Sequence, residues 1–179
     1  MSNIAIMTDS NCGIMPDEGR DLGIYVLPMP VIIDGQTYYE GIDITLDEFF
    51  KKQTEGADIT TSQPSPGDVE AMWTELLKTH DEVLFVPMSG GLSNTCQTAL
   101  MLSGEDEFAG RVFVVNNRRI SVTQAQSVLD AKLLAEEGKT AAEIGIDILE
   151  GKDYDTETFE EVFMIDADNV DMYGVDGWQ

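Results

Sequence analysis

The alternation of short apolar runs with helical patterns is the feature that most constrains the fold. Residues 4–7, 82–86 and 111–115 are almost wholly apolar runs bounded by polar turns, which is typical of strands buried on both faces of a parallel sheet. Apolar residues recur at helical spacing after these runs, across residues 69–77, 94–102 and 125–149. This order predicts an α/β fold, with an open, mostly parallel sheet and helices on both faces.

A small antiparallel hairpin is predicted to interrupt this pattern. Residues 24–27 and 31–33 favour strands, and Asp34-Gly35 followed by Tyr38 and Tyr39 is a typical hairpin turn signal. We therefore expect a hairpin insertion between the first and second apolar strands of the main sheet.

Helix boundaries are marked by capping patterns. A Ser or Thr with an acid three residues later occurs at Thr45 with Glu48, and at Thr140 with Glu143. One helix face, formed by Leu46, Phe49 and Phe50, is predicted to pack in the core. Ala125, Leu129 and Leu133 mark one stripe of a later, longer helix.

Composition excludes several classes of function. The 179 residues suit one ordinary domain, and 10 Lys and Arg against 34 Asp and Glu give a net charge of −24, which repels nucleic acids. Cys12, Cys96 and His80 are too few for a disulfide framework or a zinc site. No signal peptide or membrane span is indicated. We predict a soluble, cytoplasmic protein without a metal or cofactor.

Two hydroxyl-rich loops, residues 59–67 and 87–95, are the main candidate site. Each precedes a helical pattern, so hydroxyls and unpaired backbone N–H groups can converge on a carboxylate or phosphate. Thr61 and Ser93 are expected to donate to the anion, while Gly90 and Gly91 allow the backbone to approach closely. A single Ser or Thr before a helix is usually only a cap, but two such loops favour a binding site.

The end of the first predicted strand carries further candidates. Ligands of open α/β sheets gather at the carboxyl ends of strands, where Thr8, Asp9 and Ser10 lie. These residues are expected either at the rim of the pocket or as caps of the next turn.

Motifs for covalent or nucleotide chemistry are absent from the sequence. It contains no Gly-x-Ser-x-Gly elbow, dinucleotide fingerprint or Walker A loop, and His80 precedes a predicted strand instead of following one. We predict no catalytic residues and a protein that is not itself an enzyme.

The composition changes after residue 150. Residues 151–179 are acidic with one apolar run, 162–165, and we interpret them as a tail or as the start of a truncated second domain after a domain of residues 1–150. Asp166, Asp168 and Asp171 do not match the spacing of a calcium loop.

Several strings together resemble a known family. These strings are Thr8-Asp9-Ser10, Asp34-Gly35, Glu-Gly-Ile-Asp-Ile at residues 40–44, Thr-Thr-Ser-Gln-Pro-Ser-Pro-Gly at residues 60–67 and Ser-Gly-Gly-Leu-Ser-Asn-Thr from residue 89. Together they are similar to the N-terminal domain of the DegV family of bacterial fatty-acid-binding proteins. The resemblance covers about the first 150 residues.

The resemblance implies a cytoplasmic carrier that buries one long-chain fatty acid between two α/β domains. It also implies that the carrier presents the carboxylate to a partner kinase, which forms the acyl phosphate. Thr61 and Ser93 would be the headgroup hydroxyls, with Ser62 and the backbone of Gly90 and Gly91 beside them. A second domain, a partner chain or a second copy of this chain would complete the pocket.

Two alternatives belong to other functional classes. One is a small hydrolase or phosphatase that uses Asp9 as nucleophile or base. The other is a truncated interaction module that has lost ligand binding and is stable only in an oligomer.

Overall fold

A computed structural model describes residues 2–151. Its strands, in chain order, are β1 (Ile4–Asp9), β2 (Tyr25–Leu27), β3 (Pro30–Ile33), β4 (Gln36–Tyr39), β5 (Ile59–Thr61), β6 (Glu82–Val86) and β7 (Val112–Val114). Its helices are α1 (Pro16–Leu22), α2 (Leu46–Thr54), α3 (Pro66–Leu76), α4 (Thr95–Leu102), α5 (Val122–Glu136) and α6 (Ala141–Glu150), with a 3-10 turn at Ser10–Cys12.

The main sheet is parallel, in the order β2-β1-β6-β7. Neighbouring side chains of β1 point to opposite faces, and each face is covered by helices. Ile6 and Leu84 pack with Val128 and Ile144 of α5 and α6. On the other face, Met7 and Phe85 pack with Trp73 of α3 and Ala99 of α4. The predicted open α/β sheet with helices on both faces is confirmed.

The second sheet is small and antiparallel, in the order β4-β3-β5. Asp34 and Gly35 both have positive φ angles, 50° and 80°, as a two-residue hairpin turn requires. The predicted hairpin is therefore confirmed. The second sheet also has a third strand, β5, which the sequence does not predict, because Ile59–Thr61 is short and precedes a Pro-rich loop.

The prediction that Leu46 and Phe50 pack in the core is wrong. They are 56% and 55% exposed, and α2 buries none of its residues completely. Phe49 alone of the three is half-buried, against the second sheet. The helix touches this small sheet along a narrow strip, so most of its apolar face is left uncovered.

The predicted stripe of α5 packs against the core only in part, because Ala125 and Leu129 contact the core and Leu133 does not. Leu133 is 58% exposed, and Val128, Ala131 and Leu134 form the buried face. Apolar periodicity alone misplaces the centre of the buried face of α5. Polar residues occupy two of its core positions, because Gln124 and Ser127 are buried and hydrogen-bonded.

The two predicted helix starts are observed. Both capping boxes are formed, at Thr45 with Glu48 and at Thr140 with Glu143. Within residues 2–151, no helix is long and apolar enough to cross a membrane, and no group of three or more His, Cys, Asp or Glu is arranged to hold a metal. The acidic segment 152–179, with its apolar run 162–165 and the aspartates at 166, 168 and 171, lies outside the described residues.

Candidate functional site

Thr61 and Ser93 line the same cleft. The cleft has a volume of about 440 Å³ and lies between the second sheet and the loops that follow β1 and β6. It is lined by Asn11, Met29, Pro30, Val31, Glu40, Thr61, Ser62, Gln63, Met88, Leu92, Ser93 and Asn94. The two hydroxyl-rich loops predicted to form one site are thus brought together, although β5 belongs to the second sheet and β6 to the main one.

Thr61 lies at the end of β5. Its backbone pairs with Val31 of β3, which lines the same cleft, and its side chain is exposed. The next residue, Ser62, is held by a bond from its N–H to the Pro30 carbonyl, at 3.3 Å. The Ser62 hydroxyl donates to the Gln63 carbonyl at 3.1 Å. Thr61 and Ser62 therefore both line the cleft, and the Ser62 hydroxyl is used within the protein.

Ser93 sits in a tight turn before α4. Its N–H donates to the Ser89 carbonyl at 3.2 Å, and its Oγ accepts the Thr95 N–H at 3.2 Å. The Ser93 and Thr95 hydroxyl oxygens are 2.8 Å apart. When Thr95 donates in this pair, Ser93 Oγ accepts twice and its own proton is directed to a ligand. Ser93 lies two residues before the first residue of α4, so the positive end of the α4 dipole adjoins this turn.

Gly90 and Gly91 do not line the cleft. The Gly90 N–H donates to Asn116 Oδ1 at 3.2 Å, and the Gly91 N–H donates to Ser89 Oγ at 3.2 Å. A Cβ on Gly90 would lie 2.9 Å from Asn116 Nδ2, so a larger residue here would require the Asn116 side chain to shift. The two glycines fix the shape of the turn, and their N–H groups are used within the protein.

Thr8, Asp9 and Ser10 lie beneath the cleft and do not line it. Asp9 is fully buried and accepts the Met88 N–H at 2.7 Å, the Asn11 N–H at 3.2 Å and the Gln124 side chain at 3.2 Å. The capping role is observed, because Asp9 is the N-cap of the turn that follows β1. Burial raises the pKa of Asp9 above its ordinary value, despite these donors. The carboxylate ties together the two loops that carry Asn11 and Met88, and its burial gives no support to a nucleophile role.

Glu40 is a member of the site that sequence reasoning missed. Its Oε2 accepts a bond from Ser10 Oγ at 2.5 Å, and Ser10 Oγ in turn accepts the Met29 N–H at 2.9 Å. In the described part of the chain, Glu40 is the only cleft-lining residue with an ionisable side chain. An anion bound here has to be held by hydroxyls and the α4 dipole against a nearby carboxylate.

Comparison with known proteins identifies relatives of this chain. The sequence model of the DegV family matches residues 3–160. DegV domain-containing proteins of Caldanaerobacter subterraneus and Deinococcus radiodurans are 35% and 33% identical, over 80% and 79% of this chain. These matches cover 51% and 50% of those proteins, so the chain spans about half the length of the relatives it matches.

Solved structures give the same result. A DegV family protein from Thermus thermophilus, described for its fatty acid binding, superposes with a TM-score of 0.72 at 38% identity, over 82% of this chain and 52% of that one. DegV from Bacillus subtilis, described as a fatty acid binding protein, gives a TM-score of 0.73 at 28% identity, over 84% and 54%. On the family match, the sequence identity and the shared fold, the chain belongs to the DegV family.

Proposed function

We propose that this protein binds a long-chain fatty acid non-covalently, with the carboxylate between Thr61 and Ser93. The observation that carries the proposal is the single cleft that both hydroxyls line. The solved relatives from Thermus thermophilus and Bacillus subtilis, described as binding fatty acids, support the class of ligand.

The chemistry of the cleft suits a carboxylate that must remain accessible. Thr61 can offer one hydroxyl proton, Ser93 can offer another when Thr95 is the donor in their pair, and the N-terminus of α4 adds partial positive charge. Hydroxyl donors hold the oxygens without forming a bidentate ion pair, so an oxygen can still react with an incoming group. Glu40 opposes the ligand charge, which makes both donors necessary.

Apolar residues provide one wall for the acyl tail. Met29, Val31, Met88 and Leu92 line the cleft, and Leu92 is 65% exposed. Each buried CH₂ of a tail contributes about 0.8 kcal/mol, so affinity depends on a second wall. Because the chain spans about half the length of its relatives, we propose that a second domain, a partner chain or a second copy supplies that wall.

We further propose that the bound fatty acid is the substrate of a second protein. The protein presents the carboxylate to a partner kinase in the cytoplasm, which forms the acyl phosphate, and this chain supplies no catalytic residue. In this role the protein is a carrier, and the bound fatty acid is a ligand instead of a cofactor.

Competition with a fluorescent fatty acid tests the class of ligand. Oleic acid, methyl oleate and oleyl alcohol share a tail and differ in the headgroup, and each is used to displace cis-parinaric acid. We expect the acid to displace the probe at a concentration about tenfold lower than the other two, since only the acid presents a carboxylate to both hydroxyls. Native mass spectrometry of the purified protein should show a copurified fatty acid.

Three results would contradict the proposed function, and the last two would favour the alternatives. Equal displacement by all three lipids would show that the hydroxyls do not recognise a carboxylate. An absence of lipid binding, together with a stable oligomer in sedimentation velocity, would favour the truncated interaction module. Turnover of acyl or phosphate esters that is lost in Asp9→Asn would favour the hydrolase.

A further inference from the structure

A second cavity, of about 420 Å³, adjoins the headgroup cleft. We refer to it as the α2 groove. It is bounded by the start of α1, by the turn between β4 and α2, and by the apolar face of α2. Glu40 lines both cavities, so the two are neighbours on one surface.

The floor of the α2 groove is apolar and exposed. Leu46 and Phe50 are 56% and 55% exposed, and the Phe49 and Phe50 rings are in edge contact, with centroids 5.4 Å apart. Ile44 is buried beneath them, which anchors the start of the helix. A contiguous cluster of large apolar side chains on a highly charged protein indicates a surface that is covered by a partner.

The rim of the α2 groove is acidic. Asp17, Glu40 and Asp47 line it, and Asp17 also forms an exposed ion pair with Arg20 of α1, at 2.9 Å, so the rim keeps a net negative charge. The chain as a whole carries a charge of −24. Lys51 and Lys52 lie in the last turn of α2 and do not line the groove. The Lys52 ammonium lies 5.7 Å from the Tyr38 ring centroid. A second copy of this chain would bring acid against acid, whereas a basic partner is complementary.

We propose that the α2 groove docks a basic amphipathic helix of a partner protein. The apolar side of that helix packs on Leu46 and Phe50, and its Lys or Arg residues face Asp17 and Asp47. This surface goes beyond fatty-acid binding and does not depend on it. Because Glu40 borders both cavities, a partner docked here lies beside the ligand headgroup.

A synthetic peptide tests the α2 groove directly. The probe is a fluorescein-labelled helix of about 14 residues, made of Leu and Lys with Leu on one face, and binding is measured by fluorescence anisotropy with the whole chain. Leu46→Ser with Phe50→Ser should weaken binding by about tenfold or more, because both changes remove the apolar floor. The control pair Met101→Ser and Leu149→Ser, at residues 69% and 60% exposed on other helices, should keep affinity within about twofold.

The charge part of the proposal has its own test. Asp17→Asn with Asp47→Asn should weaken binding by about threefold and reduce its dependence on salt, because two rim charges are lost. The matching peptide of Leu and Glu should not bind. Thr61→Val with Ser93→Ala should leave peptide binding unchanged, which separates this proposal from the fatty-acid site.

Three outcomes would overturn the proposal. Equal peptide binding by the groove variant and the wild type would show general attraction to an acidic surface. Equal binding of the Leu/Glu peptide would remove the basic character of the partner. A wild-type dimer in sedimentation velocity that the groove variant loses would make a second copy the occupant.

Discussion

Replacing the two proposed headgroup hydroxyls should abolish most of the affinity for a fatty acid. Thr61→Val keeps a β-branched side chain in β5, and Ser93→Ala removes one oxygen from a half-buried turn. A hydrogen bond to a charged group contributes about 1.5–3 kcal/mol, and an open, partly solvated cleft favours the lower end. The two changes should together cost about 3 kcal/mol of binding free energy, which is on the order of 100-fold in Kd.

The fold should survive the double change. Ser93→Ala leaves the buried Thr95 N–H without its acceptor, at a cost of about 1 kcal/mol, which lowers Tm by about 3 °C in a domain of this size. The control pair is Thr60→Val and Ser103→Ala. Thr60 lies on the other face of β5, and Ser103 lies at the end of α4. Binding is measured by cis-parinaric acid fluorescence and stability by thermal denaturation. A Kd for the Thr61/Ser93 variant within about threefold of the wild type, with the fold intact, would refute the role of these hydroxyls.

Four further predictions concern stability. Asp9→Ala should lower the free energy of unfolding by about 3 kcal/mol in urea, because the buried N–H groups that donate to it lose their acceptor. Burial raises the pKa of Asp9 in the folded state, so the folded protein holds this proton more tightly than the unfolded chain does. The stability of the wild type relative to Asp9→Ala should therefore fall as pH rises from the ordinary pKa through the raised one, and an increase over that window would contradict the burial argument. Val128→Ala should cost about 2 kcal/mol, and Leu133→Ala less than about 0.5 kcal/mol, because the first residue is buried and the second is 58% exposed; equal costs would contradict the observed face of α5. Gly19→Ala should destabilise the fold by about 1–3 kcal/mol, because its Cβ would lie 2.6 Å from Val26 Cγ2, and an unchanged Tm would show that this contact relaxes freely.

Much of the fold could be predicted from the sequence because local signals agreed with tertiary packing. The apolar runs at β1, β6 and β7 reflect burial on both faces of the main sheet. The capping boxes and the Asp34-Gly35 turn depend only on neighbouring residues, so they are formed as predicted.

Predictions failed where packing depends on distant parts of the chain. The apolar face of α2 matched a core pattern, yet the small second sheet covers only the Phe49 side of it. The buried face of α5 carries Gln124, whose amide bonds to Thr8 and Asp9 more than 100 positions away, and no local period reports such a contact.

The candidate site was predicted only in part. Loop chemistry predicts Thr61 and Ser93 as binding residues. They line one cleft because β5 and the loop after β6 meet across two sheets. The sequence also predicts Gly90, Gly91 and Asp9 at the site, but their polar groups are hydrogen-bonded within the protein. Glu40 lies outside the two hydroxyl-rich loops, so loop chemistry does not mark it as a site residue, although residues 40–44 belong to the strings that resemble the family.

A crystal structure of this protein with a bound long-chain fatty acid tests the central claim most directly. The measurement is the distance from each carboxylate oxygen to Thr61 Oγ1 and to Ser93 Oγ. We predict that both hydroxyl oxygens lie within hydrogen-bond distance, about 2.5–3.0 Å, of the same carboxylate. A carboxylate bound outside this cleft, or one that contacts neither hydroxyl, would contradict the account.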